Sequence, residues 1–74
     1  MLLAIDCIDL SDGLCRTLDQ ARRMDMTLLA LFASSAEGGG MAKLMIQAPS
    51  QNLFAILADR VRQMSSVRSV LLNA

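Results

Sequence analysis

Residues 41–48, MAKLMIQA, decide the fold because they form the clearest strand pattern in the chain. Successive side chains of a strand point to opposite faces, so a period of two predicts one face against the core. One set of alternate positions is apolar and the other is mixed: Ala42, Leu44, Ile46 and Ala48 against Met41, Lys43, Met45 and Gln47. The segment is therefore predicted to be a strand with one buried face.

A second strand and a turn precede it. Residues 27–33, TLLALFA, are an apolar run of strand length, and residues 34–40, SSAEGGG, supply glycines for a turn. The two strands are predicted to form a hairpin. The glycines are not a phosphate-binding loop, because no helix start, Lys or Ser/Thr follows them as that motif requires.

A helix and a strand follow it. Pro49 ends the central strand, and Ser50 is placed to cap a second helix. Residues 67–72, VRSVLL, give the last strand. The apolar stripe predicted for the helix runs along Leu53, Ile56, Leu57, Val61 and Met64.

The first part of the chain repeats this arrangement. Residues 1–9, MLLAIDCID, are predicted to be a strand, and residues 12–24 an amphipathic helix capped by Ser11 or Asp12. Its apolar positions, Leu14, Leu18 and Ala21, recur at i, i+4 and i+7. A single shift along the chain superposes Leu14 on Leu53, Leu18 on Leu57 and Arg23 on Arg62.

Two βαβ halves predict an α+β, ferredoxin-like βαββαβ fold, with a four-stranded antiparallel sheet and two helices on one face. We expect one domain over residues 1–74. In the first two strands, both the odd-numbered and the even-numbered positions are mostly apolar. In a sheet with one face in water, apolar and polar residues alternate along each strand. The sequence therefore predicts association of copies sheet to sheet or edge to edge, the alternative being irregular alternation in a small core.

Composition narrows the function classes. The 74 residues are 54% hydrophobic and 3% aromatic, with a formal net charge of zero, so the basic surface of nucleic-acid-binding proteins is missing. So small and apolar a chain indicates an oligomer or a partner protein. The longest apolar run, residues 28–33, is far below the roughly 20 residues that span a bilayer, and no secretory signal precedes it. We expect a cytoplasmic protein without membrane contact.

Candidate catalytic groups are scarce. The chain has no histidine, which excludes Ser/His/Asp and Cys/His sites, and we predict neither catalytic residues nor a metal site. The spacing of Cys7 and Cys15 matches no redox or zinc motif, so two buried free thiols are favoured over a disulfide. Most of the methionines are expected to fill gaps in the core.

The segment with most functional content is DLSDGL, residues 9–14. Gly13 lets the backbone approach another molecule closely, and the N–H groups of a helix start favour a carboxylate. A small anionic or zwitterionic ligand fits there. Alternatively, Gly13 is simply an early helix residue beside the cap.

The whole chain resembles an ACT domain, a small regulatory module that binds amino acids and pairs with itself. The helix start Ser11-Asp12-Gly13-Leu14 and the βαββαβ order carry this resemblance. Within that group the chain is most similar to the small regulatory subunits of acetohydroxyacid (acetolactate) synthase. The similar segments are LCRTL at residues 14–18 with Arg22-Arg23, the strand at 28–34, IQAPS at 46–50 and the helix at 53–64.

The resemblance implies a non-catalytic subunit that dimerises through its sheet, carries no cofactor and binds a large thiamine-diphosphate-dependent synthase subunit. It would raise that subunit's activity and pass on feedback from branched-chain amino acids. The effector site implied by the resemblance is at the dimer interface, on Leu10, Ser11, Asp12, Gly13 and Leu14.

Leu10 departs from the family pattern. Feedback-sensitive members usually have Asn at this position, and leucine cannot hydrogen-bond a polar group of an effector. Activation without feedback is therefore one expected outcome. The alternative function is a stand-alone ACT-like sensor that binds a small amino acid for another enzyme.

Overall fold

The computed structural model describes residues 1–73 and confirms the predicted order of elements. The strands form one antiparallel sheet in the order β2-β3-β1-β4, which is the ferredoxin-like arrangement. The bounds are β1 Leu2–Cys7, α1 Leu10–Arg23, β2 Thr27–Ala36, β3 Gly39–Gln47, α2 Gln51–Arg62 and β4 Val67–Asn73.

The core lies between the helices and one face of the sheet. β1 is in the interior of the sheet, with Leu3 opposite Leu44 of β3 and Ile5 opposite Val70 of β4. The alternation predicted for β3 is confirmed, since its buried apolar side chains are Ala42, Leu44 and Ile46. Each fully buried large aliphatic side chain contributes roughly 1.5–3 kcal/mol to folding.

The helix α2 begins as predicted, but its buried stripe is shifted. The Ser50 hydroxyl accepts a hydrogen bond from the Leu53 N–H at 3.1 Å, which confirms the cap. Phe54 and Ala58, which were absent from the predicted stripe, are buried together with Leu57 and Val61. Leu53, Ile56 and Met64 are only partly buried.

The helix α1 begins two residues earlier than predicted. Asp9, rather than Ser11 or Asp12, is the N-cap, and its carboxylate accepts the Asp12 N–H at 3.1 Å. The buried face of α1 is Gly13, Thr17 and Ala21. Thr17 can be buried in place of a leucine because its hydroxyl donates to the Gly13 carbonyl at 2.7 Å.

The face of α1 also corrects the prediction for the cysteines. Both thiols are free, but only Cys7 is buried, whereas Cys15 is exposed. At about 100° per residue, position 15 points away from the buried positions 13 and 17. The methionines likewise divide: Met26 is buried, whereas Met41 and Met45 are exposed on the sheet.

The β2–β3 hairpin is tighter than predicted. Pairing continues through Ser34 opposite Met41 to Ala36 opposite Gly39, so the predicted turn over residues 34–40 shrinks to Glu37 and Gly38. Gly38 has φ +81° and Gly39 has φ +139°.

Neither helix is long and apolar enough to span a bilayer within residues 1–73.

Gly39 is expected to be the glycine least tolerant of substitution. A β-carbon at position 39 would lie 1.9 Å from the Cys7 carbonyl oxygen, a backbone atom that cannot turn aside, whereas one at Gly38 would meet nothing within 4 Å. Gly39→Ala should lower the free energy of unfolding by more than about 3 kcal/mol. Gly38→Ala, the matched control, should cost only about 1–2 kcal/mol through its positive φ. Equal losses in urea denaturation of the two variants would contradict this account.

Candidate functional site

The five predicted ligand-binding residues lie together in the first turns of α1, but they face different ways. Gly13 is buried, and Leu10 and Leu14 pack against the core. Ser11 is exposed and Asp12 is half-buried. Only Ser11, Asp12 and the backbone of this turn therefore present atoms to a ligand.

Gly13 allows α1 to cross the end of β1 at close range. A β-carbon at this position would lie 2.8 Å from the Cys7 Sγ and 3.4 Å from a Val67 methyl. The side chain of Leu10 fills a comparable gap, since its Cδ2 lies 2.8 Å from where a β-carbon of Gly40 would be. The residue that departs from the family pattern thus packs onto the β3 strand.

The charge at the start of α1 is negative. The Asp9 carboxylate caps the helix, and Asp12 pairs with Arg16 through the arginine Nε at 3.0 Å. The pKa of the Asp12 carboxyl lies below its usual value because the Ser66 hydroxyl and the Arg16 guanidinium favour its charged form. Asp12 is thus ionised at neutral pH. Its negative charge attracts the ammonium group of a zwitterionic ligand and repels a ligand that is only an anion.

Sequence reasoning missed Ser66, which precedes β4. Its carbonyl accepts the N–H groups of Ile8 at 2.9 Å and Asp9 at 3.3 Å, so it fixes the backbone that leads into α1. Its buried hydroxyl makes no hydrogen bond of ordinary geometry within residues 1–73. The hydroxyl is still close enough to the Asp12 carboxyl to lower the pKa of that group. No pattern in the sequence indicates that this loop lies beside the first turn.

The β2 strand is a second functional feature, because it is an exposed edge along its whole length. All ten of its residues are exposed, on both faces. Leu28 and Leu31 lie opposite the buried Ile46 and Leu44, yet they remain 41% and 42% exposed because the helices do not cover them. The strand, TLLALFASSA, contains no charge and no proline, which are two of the usual protections of a sheet edge, although its pairing with β3 shifts register between Leu28 and Ala30.

The sheet surface opposite the helices is also apolar. We call it the open face and define it by Phe32, Met41, Met45 and Leu71. Phe32 is 71% exposed and Leu71 is 74% exposed. Lys43 lies between the two methionines in sequence, and the ion pair of Asp6 with Arg68 at 3.3 Å borders the surface. The predicted excess of apolar surface is therefore located on β2 and the open face.

Two observations concern metal binding and thiol chemistry among residues 1–73. No group of three His, Cys, Asp or Glu side chains is placed to hold a metal ion there. Burial, together with the charges of Asp6 and Asp9, raises the pKa of the Cys7 thiol and so disfavours its reactive thiolate.

No protein-family model matches the chain, and no curated protein matches it at a significant level.

The close contact of Gly13 with Cys7 predicts strong coupling between these two positions. Gly13→Ala should gain up to about 1 kcal/mol of helix propensity, but the clash with the thiol should make the variant less stable than the wild type. In a Cys7→Ala background, the same change should be stabilising. A double-mutant cycle in urea should give a coupling of roughly 1 kcal/mol or more. Additive effects would show that the thiol does not restrict this position.

Proposed function

We propose that this chain is a non-catalytic regulatory subunit that dimerises and binds a large thiamine-diphosphate-dependent acetolactate synthase subunit in the cytoplasm. The resemblance to ACT-domain regulatory subunits gives the direction of the proposal. The observation that carries it is the uncharged, fully exposed edge of β2, since a chain with such an edge needs a partner.

Pairing of two β2 strands satisfies the requirements of this edge. An exposed edge strand presents unpaired N–H and C=O groups, and an antiparallel partner strand supplies acceptors and donors for them. With a suitable register, Leu28 of each copy would lie opposite Leu31 of the other on the helix side. The resulting dimer would have one continuous sheet of eight strands.

The open face stays exposed in such a dimer, and it provides an apolar surface for the large subunit. Phe32 and Leu71 lie on the two edge strands, β2 and β4, and Met41 and Met45 lie on β3 between them, on either side of Lys43. Exposed apolar patches of this kind mark protein–protein contacts.

An effector would bind at Ser11, Asp12 and the adjoining backbone. The ionised Asp12 carboxylate suits the ammonium group of an amino acid. The Asp12 N–H already donates to the Asp9 carboxylate, so the N–H groups of Leu10 and Ser11 would take the carboxylate of the amino acid. The Leu10 side chain is apolar and packs against Gly40, so it offers the effector no hydrogen bond. Activation that does not respond to branched-chain amino acids agrees with this arrangement.

Charge on the β2 edge should break the dimer. Leu29→Lys places a cation at a position that is 59% exposed on this strand, and a lysine on an edge strand opposes pairing with another strand. We expect a monomer by sedimentation velocity at micromolar concentration, where the wild type is a dimer. Leu71→Lys, on the opposite edge strand, is the matched control and should remain dimeric. A wild-type monomer, or dissociation by Leu71→Lys alone, would refute pairing through β2.

The regulatory role is tested with a purified large acetolactate synthase subunit. Adding this chain should raise synthase activity and should retain the large subunit on a column that carries the chain. Phe32→Lys, which charges the open face, should abolish both effects, whereas the exposed Ser11→Ala change should leave activation intact. No activation and no retention would refute the role.

The alternative, a stand-alone amino-acid sensor, predicts a different pattern. Thermal unfolding would then shift upward with one of the twenty amino acids, because a ligand of the native state stabilises it by mass action. Asp12→Asn would remove that shift, and the large subunit would be unaffected by the chain.

A further inference from the structure

A cleft between the two helices has the features of a separate anion site. It lies away from the sheet, at the surface where α1 faces the end of α2, and its volume is about 530 Å³. Its lining is mostly polar and contains two guanidinium groups: Arg16, Gln20, Arg60, Gln63, Met64 and Ser65.

Arg60 is the arginine that stands apart in the pattern of ion pairs. The other five arginines each pair with an aspartate within residues 1–73, at distances of 2.6–3.3 Å. Arg60 pairs with no carboxylate in this part of the chain; instead its Nη1 donates to the Gln20 Oε1 at 3.3 Å. A neutral amide from the opposite helix thus orients the guanidinium without neutralising it.

Arg16 adds donors from the other side of the cleft. Its ion pair and hydrogen bond with Asp12 both use Nε, so both terminal amino groups of the guanidinium remain available. With Asp12 as the counterion of Arg16, the cleft retains the positive charge of Arg60.

The end of α2 does not oppose an anion as strongly as a bare helix C-terminus would. The exposed carbonyls there would repel negative charge. Two of them already accept N–H groups: the carbonyl of Arg60 from Gln63 at 3.2 Å and that of Val61 from Met64 at 3.1 Å. Just beyond the helix, the Met64 carbonyl accepts the Val67 N–H at 3.1 Å.

We propose that this cleft binds a small, multiply charged anion bearing phosphate or carboxylate groups. A guanidinium is suited to such groups because its N–H donors match two oxygens at once. The second guanidinium, with the Gln63 amide and the Ser65 hydroxyl, can reach the other end of a compact polyanion. The site is distinct from the first turn of α1 and does not rest on the proposed regulatory function.

The test uses the full chain with pyrophosphate and citrate as probes, in separate calorimetric titrations and thermal melts. Sodium chloride at equal ionic strength controls for general screening. Binding of pyrophosphate alone would assign the site to phosphate groups, and binding of citrate alone would assign it to carboxylates. Either result supports the proposal.

Two substitutions locate the binding. Arg60→Gln should weaken the affinity about tenfold or more, since it removes charge-assisted hydrogen bonds. Arg62→Gln is the matched control, because Arg62 lies on the same helix and is paired with Asp59, and it should bind as the wild type does. Equal affinity of wild type and Arg60→Gln, or no heat and no thermal shift beyond those of sodium chloride, would overturn the proposal.

Discussion

The end of β1 at Cys7 is the point on which the packing of the other elements depends. Cys7 faces Gly40 of β3 and Val67 of β4 in the sheet, while Gly13 of α1 rests on its sulfur. Its carbonyl oxygen occupies the space that any side chain at position 39 would need. Two neighbouring strands and one helix therefore pack against a single small residue. Positions 13 and 39 are glycines because a β-carbon at either one would clash with Cys7.

This packing has a direct effect on the candidate effector site. Because α1 must approach β1 so closely, Gly13 and Leu10 are committed to internal contacts. The first turn of α1 can therefore offer a ligand only its outer side and its backbone. The two helices bury side chains of β1, β3 and β4, whereas every residue of β2 stays exposed. The packing of the helices on the sheet therefore also accounts for the exposed edge.

The sequence predicted the elements whose signals are local. The alternation of β3 and the Ser50 cap of α2 follow from nearest neighbours along the chain, and both are confirmed. The predicted start of α1 was wrong by two residues, because Asp9, Ser11 and Asp12 are all residues that favour the N-cap position. Only the path of the chain after β1 selects Asp9. The exposure of Cys15 follows from its place on α1, on the side opposite the buried Gly13 and Thr17.

What remained beyond prediction depends on contacts between distant segments. The role of Ser66 beside Asp12 arises only when the loop before β4 meets the start of α1. The cleft at Arg60 likewise needs Gln20, forty positions earlier in the chain. Neither segment carries a motif, because a serine in a loop and an arginine on a helix are common everywhere.

The order of the strands also constrains how the chain acquires its structure. β1 is synthesised first, yet both its neighbours, β3 and β4, come later, and Leu2 pairs with Asn73. The hairpin of β2 and β3 can form early because its partners are close in sequence, whereas the docking of β4 closes a loop of nearly the whole chain. Such non-local contacts slow folding. Any state of the chain in which β4 is undocked leaves β1 with an unpaired edge, so that β1 and β2 would both be open to pairing with a wrong strand.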